Sequence, residues 1–106
     1  MTSDAEIVWP ADWQPEAVAA VVPYLGSDER LRIVVGPPET SLSGTVLAGH
    51  VYVDDGVATI VHDRSGRPDV YPWRLLAGPV LRIELLRPRR RPLVLFAHPA
   101  WPGNRA

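Results

Sequence analysis

The sequence predicts a mainly-β (α+β) domain: an N-terminal short helix followed by a five-stranded antiparallel small barrel or strongly bent sheet. Three observations predict it. Apolar spacing is helical only between Asp12 and Leu25, and from Leu31 onward it alternates with a period of two. Twelve prolines in 106 residues are about twice the usual share, which favours short elements and many turns. The alternating runs also stop at turn-forming clusters (Gly36-Pro37-Pro38, Asp54-Asp55-Gly56, Gly78-Pro79), so successive strands can pair with their neighbours.

The elements follow in order within one domain spanning residues 1–106. Residues 1–11 form an N-terminal arm, with Met1 to Ala5 disordered. Glu6 to Pro10 reads as a short edge strand or an extended arm, because Pro10 has no N–H to give a ladder. A helix occupies 12–25, with Asp12 or Gln14 near its N-cap, Pro15 in the first turn and Glu16 at the positive end of the dipole. Val18, Val21, Val22 and Leu25 make its apolar stripe. Pro23 makes the last turn irregular, and Gly26 stops it.

The β region covers 31–98, with strands at Leu31–Val35, Thr45–Val53, Val57–His62, Val80–Leu86 and Leu93–His98. Arg64 to Pro68 reads as a loop, and Val70 to Leu76 is ambiguous between a strand and a turn of helix. Residues 99–106 are an extended tail. Sequential antiparallel strands of this length close readily into a barrel. The order of elements resembles that of the SH3-like and Sm-like small barrels, and the likeness rests on that order alone. Trp73 is expected to plug one end of the barrel.

A three-residue loop at Asp54-Asp55-Gly56 sets Val53 against Val57. Leu47, Val51, Val53, Val57 and Val61 then share the core face, and His50, Tyr52 and His62 share the other. His50 falls opposite Ile60 and diagonal to His62, a surface pair within side-chain reach. Ile33, Ile83, Leu85 and Leu95 should be buried with the valines, and Arg82 and Glu84 exposed with His50 and Tyr52.

Little in the chain points to catalysis. Cysteine is absent, which excludes disulfides, thiol chemistry and Cys-based metal sites. Lysine is absent as well, and there is no nucleophile elbow, phosphate loop or dinucleotide fingerprint. The pair His50 and His62 falls short of the three or more ligands a metal site wants. The expectation is a protein that is not an enzyme, with no cofactor and no metal. An acidic start and aliphatic runs of at most five or six residues argue for a cytoplasmic location without membrane contact. All eleven basic residues are Arg, which fits codon usage in a GC-rich bacterial genome.

The surface carries more signal. Residues 1–55 hold nine acids and two Arg, a net of −7, whereas residues 56–106 hold three acids and nine Arg, a net of +6. Such patches can neutralise each other within the domain, drive self-association or steer an anion. The densest cluster is Arg87, Arg89, Arg90 and Arg91, four cations within Arg87–Pro92, suited to carboxylate or phosphate recognition. Trp9, Trp13 and Trp101 lie in terminal segments, where they either pack back on the domain or anchor a protein interface. The first expectation is therefore a protein-interaction or assembly module that self-associates as a homo-oligomer. An Arg-dependent anion or nucleic-acid binder stands second.

Overall fold

The five period-two segments form strands, and a further segment brings the strands among the described residues to six. A computed structural model describes residues 7–37, 44–64 and 67–102, with backbone alone for 62–64 and 67–72. In chain order the elements are α1 (Pro15–Val21), a 3-10 turn (Val22–Tyr24), β1 (Arg30–Val35), β2 (Thr45–Asp54), β3 (Val57–Arg64), β4 (Arg67–Arg74), β5 (Val80–Leu86) and β6 (Leu93–Ala97). The first six residues and the last four lie outside the described residues, so the expected disorder at Met1 to Ala5 is not addressed.

The strands make one antiparallel sheet in the order β4-β3-β2-β1-β5-β6. Among the described residues it is an open antiparallel sheet with two edges and six strands, where a five-stranded barrel or strongly bent sheet is expected from sequence, so the barrel does not close. The added strand is β4, which takes in the ambiguous segment as far as Arg74 and also Arg67 and Pro68; with β3 running to Arg64, the expected loop at Arg64 to Pro68 is mostly strand. Pro68 and Pro72 lie within β4. Without their N–H groups they suit an edge strand and oppose a ladder on both sides, as a closed barrel requires.

The helix is shorter than the expected 12–25. Asp12 adopts φ 69, outside the helical region, and Gln14 sits at the N-cap with φ −68 and ψ 146. Pro23 cannot donate a hydrogen bond, and the chain tightens into the 3-10 turn there. Ala17 and Val21, four residues apart, are buried and press α1 onto the sheet, while Val18, Val22 and Leu25 are only partly covered. Two side chains fasten this segment to the sheet, Gln14 at the start of β5 and Trp13 at the β4–β5 connection. Gln14 Nε2 donates to the Val80 carbonyl at 3.0 Å, and its Oε1 accepts from the Val80 N–H at 2.9 Å. Trp13 Nε1 donates to the Leu76 carbonyl at 2.8 Å.

The main core lies between α1 and one face of the sheet, with Leu31, Ile33, Val51, Ile60, Val80 and Ile83 fully buried. On the opposite face Val34, Leu81 and Trp101 form a smaller cluster. Gly44 lies against it so closely that a Cβ there would meet the Val34 and Leu81 side chains.

The β2–β3 hairpin corrects the expected register by one residue. Asp55 and Gly56 both have positive φ (50 and 76), as a two-residue type I′ turn requires, so Asp54 pairs with Val57 and Val51 with Ile60. A one-residue slip exchanges the faces of a strand. Ala58 and Ile60 are accordingly buried, whereas Val57 and Val61 are half-buried and Val53 is 40% exposed. His50 now faces Val61, and the backbone of His62 pairs with Gly49, so the expected diagonal of His50 and His62 is not formed. Leu95 is only partly buried, because β6 is an edge.

Candidate interaction site

The β5–β6 hairpin carries the two surface features that stand out. Its turn, Arg87 to Pro92, is braced from within. The Arg87 guanidinium donates to the Arg91 carbonyl through Nε at 3.2 Å and Nη2 at 2.6 Å, and the Arg90 N–H meets the Arg87 carbonyl at 3.4 Å. Arg89 takes φ 59, a left-handed conformation stabilised by this closure. Arg87 is thus partly buried on its own loop, while Arg89, Arg90 and Arg91 are exposed. Among the described residues, no carboxylate forms an ion pair with these three.

Directly after the turn comes β6, five residues without a charge. Leu93 is 45% and Val94 44% exposed, while Leu95 and Phe96 pack against the core. Its inner side pairs with β5, and among the described residues its outer side meets no strand. Beyond its end, the His98 N–H bonds the Leu81 carbonyl at 2.9 Å and His98 Nδ1 accepts from the Ala100 N–H at 3.0 Å, which directs Trp101 onto Leu81.

The tryptophans divide. Trp13 and Trp101 are buried within the chain's own clusters, so they are not surface anchors. Trp9 is half-buried with its ring 5.7 Å from that of Trp13. Trp73, expected to plug a barrel, is 50% exposed, since an open sheet has no end to plug. Glu84 also departs from its expected exposure. It is buried on the sheet face away from α1, with its carboxylate 3.4 Å from Arg32 Nη1 and 3.2 Å from Arg82 Nε. Alternation alone marks position 84 as outward, and only the two neighbouring Arg explain how a carboxylate sits there.

A shallow groove of about 350 Å³ lies beside the arginine turn, lined by Asp28, Glu29, Arg30, Leu86, Arg87 and Pro88. Among the described residues no group of three or more His, Cys, Asp or Glu is placed to hold a metal ion, and no helix is long and apolar enough to cross a membrane. The open β6 edge escapes a reading based on charge and aromatic residues. Its signal is the absence of any charge or proline over Leu93–Ala97, beside a β4 that has both. No protein-family model, curated protein or solved structure matches the chain.

Proposed function

We propose that this protein is a non-enzymatic interaction and assembly module that self-associates, with β6 as the contact strand. The observation that supports it most is the uncharged edge, whose backbone donors and acceptors and exposed Leu93 and Val94 offer a template for another strand. Pairing of two β6 strands about a two-fold axis joins two sheets into one and satisfies both edges at once. A cytoplasmic homo-oligomer is the form in which we place it.

Light scattering from about 1 to 100 µM, a range that captures micromolar contacts, tests the reading. Wild-type protein should show at least a dimer, with an interface near or above ~1,000 Å². Leu93→Lys/Val94→Lys should weaken that contact about 100-fold, equivalent to ~2.7 kcal/mol, while leaving the fold intact. A strictly monomeric wild-type mass at ~100 µM would falsify the proposal. The exposed Arg89, Arg90 and Arg91 support a second reading, an anion or nucleic-acid site. That reading requires oligonucleotide affinity below ~1 µM at physiological salt, tighter than ordinary non-specific binding.

A further inference from the structure

We infer that a second copy of this chain docks head to head on one end of the sheet, where the acidic turn at Asp54 and Asp55 meets the partner's arginine turn. The inference rests on the self-association proposed above and assigns it a second surface.

The topology brings the two turns to the same end. Arg30, the first residue of β1, pairs with His50 on one side and Leu86 on the other. Beyond that row β2 runs on through Val51–Asp54 and reverses at Asp55-Gly56. On the other side β5 ends at Leu86 and the chain enters the arginine turn at once. The β2–β3 and β5–β6 turns are centred three strand spacings apart, about 14 Å at ~4.8 Å per strand. The acidic hairpin rises above the Arg30 row by about 13 Å at ~3.3 Å per residue, and the arginine turn stands lower.

Charge separates along this end. Asp54 and Asp55 are exposed at one side, and Arg89, Arg90 and Arg91 at the other. Among the described residues neither set forms an ion pair. Between them lies the groove with Asp28, Glu29, Arg30 and Arg87, of mixed sign. A two-fold axis normal to the sheet, in line with β1 and beyond its start at the height of the turns, carries each acidic hairpin onto the partner's arginine turn, the taller projection over the lower one. The contact is isologous, so every favourable pairing occurs twice. The parallel arrangement, with like turns facing, is opposed by repulsion.

Exposed ion pairs are individually weak and screened by salt. The head-to-head contact should therefore be salt-sensitive and the β6 contact much less so. Two different isologous contacts on one chain carry assembly beyond a dimer. The expected mass is larger than a dimer at about 50 mM salt and falls to a dimer at about 500 mM, where the Debye length is only a few ångström.

The test uses charge reversal and mixing. Arg89→Asn/Arg90→Glu/Arg91→Glu makes the basic turn acidic, and Asp54→Arg/Asp55→Asn makes the acidic turn basic. Asn is chosen at positions 89 and 55 because it tolerates positive φ. Each variant alone should lose the larger species at low salt, with association at least tenfold weaker. An equimolar mixture should regain it, because both contacts in the mixed pair again join opposite charges. Unchanged circular dichroism and melting temperature confirm that both variants fold, and the smaller pair Arg90→Glu/Arg91→Glu serves if the triple variant does not.

In the Leu93→Lys/Val94→Lys background the head-to-head contact alone should give a dimer at low salt and a monomer at high salt. Variants that keep the wild-type mass, or a mixture that fails to regain it, overturn the head-to-head contact and leave self-association standing. A wild type monomeric at both salts removes both. Tight oligonucleotide binding that disappears with the arginine variant assigns the turn to an anionic partner and likewise overturns the inference.

Discussion

The two edges of the sheet occupy equivalent positions and have opposite chemistry. β4 reads Arg67-Pro68-Asp69-Val70-Tyr71-Pro72-Trp73-Arg74, with two prolines and three charges. β6 reads Leu93-Val94-Leu95-Phe96-Ala97, with neither. Where β4 ends, the N-terminal arm continues the protection. The Val8 N–H bonds the Gly56 carbonyl at 2.7 Å, and the Ala58 N–H bonds the Val8 carbonyl at 3.0 Å, so the exposed side of β3 is paired. Prolines, charges and a covering segment are the ordinary means of stopping edge-to-edge pairing. All three are present on one side of this sheet, whereas among the described residues β6 has only the flanking Arg91, Pro92 and Pro99. By this difference β6 is the less protected edge, which supports the proposal that copies of the chain pair there.

The largest effect should come from loosening the anchor beyond β6. Trp101 is buried with Val34 and Leu81 on the sheet face that α1 does not cover. Trp101→Ala removes most of that cluster and should cost about 3–5 kcal/mol in urea unfolding, as large-to-small aromatic substitutions do. It should also make β6 more prone to aggregation, whereas an equivalent loss on the β4 side leaves its prolines in place. A cost under ~1 kcal/mol, the level of an ordinary surface change, would show that the tail does not hold this edge.

A smaller loss should follow from Gln14→Ala. The Gln14 amide satisfies both backbone groups of Val80, the first residue of β5. Removing it leaves a buried N–H and carbonyl without their partner, at a cost of about 2 kcal/mol. Gln14→Glu keeps the acceptor for the Val80 N–H and loses the donor to its carbonyl. It should fall between the two in a denaturation series, and equal losses for Ala and Glu would mean that only the donor matters.

Much of this architecture is legible in the sequence, and the failures have local causes. Strand order along the chain follows from alternation, and burial of Ile33, Val51, Ile83 and Leu85 agrees with it. The hairpin register did not follow, because Asp54-Asp55-Gly56 fits both a three-residue and a two-residue turn. Only the positive φ of Asp55 selects the latter. The barrel failed for a nonlocal reason: alternation says which face of a strand is buried but not which strand lies beside it. β5 joins β1 at the centre of the sheet rather than β4, its neighbour in sequence. The charge split between the two halves was visible early. Its meaning depends on two turns that the same nonlocal pairing places at one end of the sheet. Trp13 and Trp101 could not be assigned from their terminal positions, since only the contacts to Leu76, Val34 and Leu81 show that they pack inward.

The smallest expected effect tests the comparison from the protected side. Pro68→Thr/Pro72→Thr restores two backbone donors to β4 and replaces two rings with a residue that favours strands. Because β4 is already an edge, monomer stability should change by under ~1 kcal/mol. In the Leu93→Lys/Val94→Lys background the β6 edge is blocked, so any new association at high salt has to use another surface. If the prolines keep β4 closed, light scattering should show roughly tenfold of the lost affinity returning, or ~1.4 kcal/mol. Arg67, Asp69 and Arg74 remain in that variant. A mass that stays monomeric at ~100 µM would therefore assign the protection to these charges and to the Val8 arm, and the two edges would differ by charge rather than by backbone donors.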